Sequence, residues 1–306
     1  MLGVLEGFAI IGVVVGIGYT VERSGVLGKG AGWQLNRFAF FVALPALMFT
    51  TLAGTDLHVI FSGRLPVAAI SFAAMAGLYA LVAGLILRRG VARVTVGAVG
   101  AGLLNANNMG LPVATYIFGD PAQVAPILLF QLIFATPLCL AVLDVVSRGQ
   151  VRLRTIATQP LRNPLILGSA AGIIVNLLGL PVPDVVHEPL RLLGGAGIPL
   201  ILVAFGMSLR GSRPLAVPGQ RTETLLAVGL KVAMMPVAAY LLGRFAFHLA
   251  PHDLFAATVL GGLPTAQNLF NFASRYDQQV SLARDIVLLS TLASVPALLV
   301  ISALMA

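Results

Sequence analysis

The sequence has little charge. Only 10% of its 306 residues are Asp, Glu, Lys or Arg, against about 25% in soluble domains, so a water-soluble globular class is excluded. It has one cysteine, Cys139. That rules out an intrachain disulfide and a cysteine-based metal cluster, and Cys139, inside an apolar run, reads as packing. Acids are few, eleven in all. None lies between Thr95 and Phe118, in the middle of the fifth apolar run, or in the ninth before Asp277. Cation binding by buried carboxylates, as a sodium/proton antiporter needs, is therefore disfavoured. The histidines, His58, His187, His248 and His252, fall at run ends or in connectors, and no HExxH, GxSxG or P-loop is present. Enzyme chemistry, a metal and a cofactor are not expected.

What the chain has is apolar sequence, 58% of its residues. Ten apolar segments can be marked: Leu5–Val21, Leu35–Leu52, Leu65–Leu87, Thr95–Phe118, Val124–Val146, Pro164–Leu180, Leu190–Leu209, Leu225–Leu249, Leu254–Ala273 and Leu282–Leu304. They are continuous rather than alternating, so they predict helices and not a barrel. The fold class is an all-α polytopic membrane protein with ten transmembrane helices. The first segment has an acid, Glu6, near its start where a signal peptide would carry basic residues, and it runs on to Val21, so it reads as a retained span. The +8 charge does not point to nucleic acid, because the basic residues sit in the gaps between apolar runs. Odd gaps hold or border Arg23, Lys29, Arg37, Arg88, Arg89, Arg93, Arg148, Arg152, Arg154, Arg162, Arg210, Arg213, Arg221, Arg275 and Arg284; even gaps have only Arg64, Arg191 and Arg244. This bias places the odd gaps in the cytoplasm and both termini outside, in the cytoplasmic (inner) membrane.

The halves resemble each other. Pro45, Pro112 and Pro137 are followed by Pro199, Pro264 and Pro296 at offsets of 154, 152 and 159 residues. Five spans per half make the second copy enter the membrane from the other side, so residues 1–150 and 151–306 are expected as two inverted five-helix repeats. The fourth span carries Asn105, Asn107, Asn108, Gly110 and Pro112. The ninth carries Gly262, Pro264, Thr265, Gln267, Asn268 and Asn271. Gly and Pro predict a break in each span, with Gly110, Pro112, Gly262 and Pro264 as hinges and the prolines opening the second halves. Two broken helices crossing at mid-membrane would present helix N-termini and amides to an anion. The alternative is that the amides only repair the breaks.

These motifs resemble the auxin efflux carrier family, within the larger group that includes the bile acid/sodium symporters. The resemblance rests on Asn36-Arg37 through Ala43-Leu44-Pro45-Ala46-Leu47, on Asn107-Asn108-Met109-Gly110-Leu111-Pro112 with Phe118-Gly119, on Pro199 with Gly206-Met207, and on Leu263-Pro264-Thr265-Ala266-Gln267-Asn268 with Tyr276. It covers nearly the whole chain. It implies crossed broken helices four and nine, a scaffold of spans 1, 2, 6 and 7, and a transport core of spans 3–5 and 8–10. It implies elevator-type alternating access and a homodimer through the scaffold helices. Family substrates are carboxylates, auxin in plants and malate- or malonate-like acids in bacteria. The compact Ser147–Asn163 connector is of the bacterial kind.

Lys231 lies inside the eighth segment. It is expected to attract a substrate carboxylate, to pin a broken helix by donating to freed carbonyls, or to fill the space of a coupling cation; snorkelling to the surface is the bland alternative. Asp144 is expected to pair near the cytoplasmic surface, close to Arg148; Asp285, after Arg284, is expected to do the same or, one helical turn deeper, to be a proton site. Gln131, Thr136, Ser290, Thr291 and Ser294 are expected either to line the cavity or to bond between helices. The expected function is a secondary transporter for a small organic anion, a mono- or dicarboxylate, with Na+ or H+ as conceivable coupling ions. A sodium-coupled organic-anion symporter is the alternative within that class. A membrane receptor that binds its ligand without moving it is the alternative outside it.

Overall fold

The computed structural model describes residues 2–28, 30–55, 63–148, 158, 160–210, 215 and 217–305. Lys29, His58, Arg152, Arg154, Arg213 and most of the Ser147–Asn163 connector, with the boundary between residues 150 and 151, lie outside the described residues. The described chain is helical: α1 (Leu2–Ser24), α2 (Ala31–Gly54), α3 (Arg64–Ile86), α4 (Val91–Gly102), α5 (106–117), α6 (Pro121–Val146), α7 (Pro164–Leu177), α8 (Asp184–Ser208), α9 (Arg221–Ala246), α10 (Pro251–Gly261), α11 (Asn268–Tyr276) and α12 (Val280–Met305). Six of these, α2, α3, α6, α8, α9 and α12, are long and apolar enough to cross a bilayer. The predicted apolar segments fall on these helices, and the fourth and ninth are each divided in two, α4 with α5 and α10 with α11.

Helix pairing falls into two groups. In one, α1 packs on α8, and α2 packs on α7 and α8. In the other, α3 packs on α4 and α6, and α9 packs on α4, α10 and α12. Between the groups, α5 touches α1 and α8. The α1–α8 crossing is close because it is made at glycine. A Cβ added to Gly18 would lie 2.2 Å from the Val203 carbonyl oxygen, and one added to Gly206 would lie 2.0 Å from that of Val15. Backbones meet directly there, as small residues allow between membrane helices.

Prolines in these helices do not break them. Pro45, Pro112, Pro137 and Pro236 each stand second in an α-helical stretch that follows a five-residue π turn, at Ala39–Ala43, Ala106–Gly110, Gln131–Ala135 and Leu230–Met234 respectively. A π turn bonds to i−5, and its return to i−4 leaves one carbonyl without a donor. A residue with no N–H fits that place. The expectation that Pro112 opens a broken half is thus corrected: Gly110 and Pro112 lie within the continuous helix α5. The chain leaves helical geometry earlier, at Leu103–Asn105, where Leu103 takes an extended conformation (ψ 117°). Pro264 does not open a helix either. It lies in the link after α10, and α11 begins only at Asn268.

The turn between α3 and α4 recurs between α9 and α10. The π turns Val82–Ile86 and Leu242–Ala246 are 160 residues apart. Leu87 N–H donates to Val82 O (2.9 Å) and Arg89 N–H to Ala83 O (2.9 Å); Phe247 N–H donates to Leu242 O (2.9 Å) and Leu249 N–H to Gly243 O (2.8 Å). Arg88 and His248, also 160 apart, are both left-handed, with φ of 51° and 47°. This register pairs Asn107 with Gln267 and Asn108 with Asn268. It therefore replaces the proline offset of 152, which had matched Pro112 with Pro264. Two ion pairs lie close to this register with polarity reversed, Arg93 and Asp253 being 160 residues apart and Arg64 and Glu223 159. At the start of α3, Arg64 meets Asp253 of α10 at 3.7 Å, and beyond its far end Arg93 of α4 meets Glu223 of α9 at 3.3 Å.

Candidate functional site

The two interrupted segments cross and bond to each other. Leu104 and Thr265 form an antiparallel bridge. Asn105 N–H donates to Pro264 O at 2.8 Å, and Ala266 N–H donates to Leu103 O at 3.1 Å. Each link thus satisfies backbone groups that the other's departure from helix leaves free. The Thr265 hydroxyl donates to Gly100 O (2.7 Å), and Thr265 N–H donates to the Ser290 hydroxyl (3.0 Å). Asn105 caps α5, its side-chain oxygen accepting from Asn108 N–H at 3.1 Å.

Amides line the solvent side of this crossing. Asn108 Nδ2 donates to Gln267 Oε1 across it (3.1 Å), and Asn107 Nδ2 donates to Asn108 Oδ1 (2.8 Å). The side chains of Asn268 and Asn271 have no hydrogen-bond partner among the described residues. These five residues floor a cavity of about 470 Å³, within the size range of small-molecule sites. Its walls include Trp33, Asn36, Arg37, Phe40 and Phe41 of α2, and Met207 and Ser208 of α8. Glu22 of α1 also reaches it. The cavity therefore lies between the helix crossing, which gives its floor, and α1, α2 and α8, which give its walls.

Of the predicted site residues, Asn107, Asn108, Gln267, Asn268 and Asn271 come together in this cavity. Asn105, Gly110, Pro112, Gly262, Pro264 and Thr265 do not line it and are buried in the crossing. Asn105 faces a second cavity of about 20 Å³ together with Gln131 and Thr136 of α6. Asn105 Nδ2, Gln131 Nε2 and Asn107 Oδ1 are buried without partners among the described residues, and the space suits one water. Ser290 bonds within the crossing, as described, while the Ser294 hydroxyl bonds within its own helix, to Thr291 O.

Lys231 is away from the main cavity. It is wholly buried, so the snorkelling alternative is overturned, and its ammonium donates to Gly261 O at 3.1 Å beside Met235 Sδ at 3.2 Å. Gly261 ends α10, where unpaired carbonyls carry partial negative charge. Asp285 is buried rather than at the surface. It accepts from Leu215 N–H (3.0 Å) and from the Arg284 guanidinium (3.0 Å); the arginine folds back on its neighbour and seals the carboxylate. Asp144 is buried as well. Sequence reasoning passed over Glu223, fully buried with Arg89 Nε at 2.7 Å. It also left Arg37 and Trp33 out of the site. Their spacing of four on a helix was the available signal.

The comparisons identify a family. A family model described as "Membrane transport protein" matches residues 4–153 and 146–302. An "Uncharacterized transporter" of Methanothermobacter thermautotrophicus is 29% identical over 306 residues, 97% of each chain. A "Putative malonate transporter" of Rhizobium meliloti is 28% identical over 278 residues, 88% of this chain and 85% of that one. "Probable auxin efflux carrier component 5b" of Oryza sativa is 27% identical over 143 residues, 45% of this chain and 38% of that one. The chain belongs to this membrane transport protein family, that of the auxin efflux carriers, and is a multi-pass membrane transporter rather than an enzyme.

Proposed function

We propose that the protein carries a small organic anion, a mono- or dicarboxylate, across the cytoplasmic membrane by alternating access. The anion sits on the floor of Asn107, Asn108, Gln267, Asn268 and Asn271. The observation that carries this is the bonded crossing: two interrupted helices hold five amides against one cavity, and two of those amides have no partner among the described residues. Amide N–H groups and the N-terminal ends of α5 and α11 favour a negative ligand. The names of the Rhizobium and Oryza relatives, a malonate transporter and an auxin carrier, point to the same chemical class.

The wider architecture we propose is ten spans in two inverted five-helix repeats, residues 1–150 and 151–306. The 160-residue recurrence, the antiparallel link pairing and the reversed ion pairs support it. The group α1, α2, α7 and α8 serves as scaffold. The group α3–α6 and α9–α12 moves against it as an elevator, carrying the floor past the walls. The bias of basic residues toward odd gaps supports termini outside. Proteoliposomes loaded with protein and offered radiolabelled malonate, propionate and indole-3-acetate test the function. Uptake that saturates and competes among carboxylates is expected, under imposed Na+ and H+ gradients run separately. Binding without flux would assign a receptor instead.

A further inference from the structure

We propose that Arg37 is the specificity residue of the cavity, binding the second carboxylate of a dicarboxylate whose first carboxylate rests on the amide floor. The inference deepens the function proposed above and rests on that floor. Trp33, Arg37 and Phe41 follow one another at intervals of four along α2, and all three line the cavity. The Arg37 guanidinium carbon is 4.6 Å from the Trp33 ring centroid and 5.6 Å from that of Phe41. Rings against a guanidinium hold it in place while its N–H groups, which lie in its own plane, stay available. Among the described residues Arg37 makes no ion pair and no hydrogen bond. Among the described residues that line the cavity, it is the only basic side chain. A planar fork of free donors fits a carboxylate with two parallel bonds. The amide floor, which is uncharged, gives a monoanion and a dianion similar welcome; Arg37 distinguishes them. Among the described residues that line the cavity, Glu22 is the one acid. It makes a ligand carrying an amine, rather than a second carboxylate, the competing occupant.

Three probes with the same number of carbons separate the possibilities: malonate, propionate and β-alanine. Each is titrated by calorimetry into the detergent-solubilised full chain, with emission from Trp33, the single tryptophan, read in parallel. Wild type should bind malonate about 10- to 100-fold more tightly than propionate, the range that charge-assisted hydrogen bonds supply. Arg37→Gln should reduce malonate affinity to that of propionate while propionate changes by less than about twofold. Arg37→Lys, which keeps the charge but not the fork, should fall between them. Equal losses for malonate and propionate in Arg37→Gln, or no loss for either, overturn the assignment, as does a wild type that prefers β-alanine. The floor is read separately. Asn268→Ala that leaves propionate binding intact overturns the amide floor alone, whereas a wild type that binds none of the three overturns both.

Discussion

The Lys231 ammonium lies 3.1 Å from the carbonyl oxygen of Gly261, the last residue of α10. A buried amino group thus stands as donor at the negative end of a half-helix, where the interruption of the ninth segment leaves acceptors unmatched. Of the roles open to this lysine, the contact supports pinning the helix end. Lys231→Met keeps the volume and removes the donor. Leaving the carbonyl unpaired should cost about 1–3 kcal/mol. The expected outcome is a lower thermal midpoint and slower transport with unchanged substrate affinity. Unchanged stability with weakened affinity would make the lysine a ligand.

The floor amides should not be equivalent. Asn108 bonds to both Asn107 and Gln267, whereas the Asn268 amide has no hydrogen-bond partner among the described residues. Asn268→Ala should therefore weaken carboxylate binding about tenfold or more with little change in stability, since only a ligand bond is lost. Asn108→Ala should lose binding and also lower the thermal midpoint, because it strands the carbonyl of Gln267. Full transport activity in both variants would remove the floor from the mechanism.

Pro112 and Pro264 should separate as well. Pro112→Ala adds an N–H at a π-to-α junction that already tolerates its absence, so expression and flux should stay near wild type. Pro264→Ala loosens an extended link whose carbonyl accepts from Asn105. Added backbone freedom of this kind costs about 0.4–1 kcal/mol, and it is expected to slow flux more than it lowers yield. Flux in liposomes and yield after purification, measured side by side, check this. Equal effects of the two substitutions would contradict the placement of the break.

The Glu223–Arg93 pair mirrors Arg64–Asp253 with its charges exchanged. Glu223→Arg should destabilise by about 2–4 kcal/mol, near the cost of breaking a buried pair and reduced because both partner arginines reach solvent. Combining it with Arg93→Glu recreates the polarity found at the other end of α3. Part of the loss should return, read as non-additivity of the thermal midpoints. Strict additivity would show that the pair is not coupled.

Composition and hydropathy alone determined that the chain is helical and membrane-embedded, because a bilayer demands long apolar runs with internally bonded backbone. The residue motifs alone also led to the family, and to Asn107, Asn108, Gln267, Asn268 and Asn271, since amides at membrane depth are costly without a use. Tertiary structure decided where the helices part. Prolines suggested breaks at Pro112 and Pro264, but a π turn before Pro112 absorbs its missing donor, and the links at Leu103–Asn105 and Gly262–Gln267 part from helix because each supplies the other's hydrogen bonds. Such reciprocity joins residues 159 to 163 positions apart, and no local pattern records it. The same holds for Lys231, whose partner is a carbonyl 30 positions away, and for Arg37, which reads as a border charge until α2 is folded against the crossing.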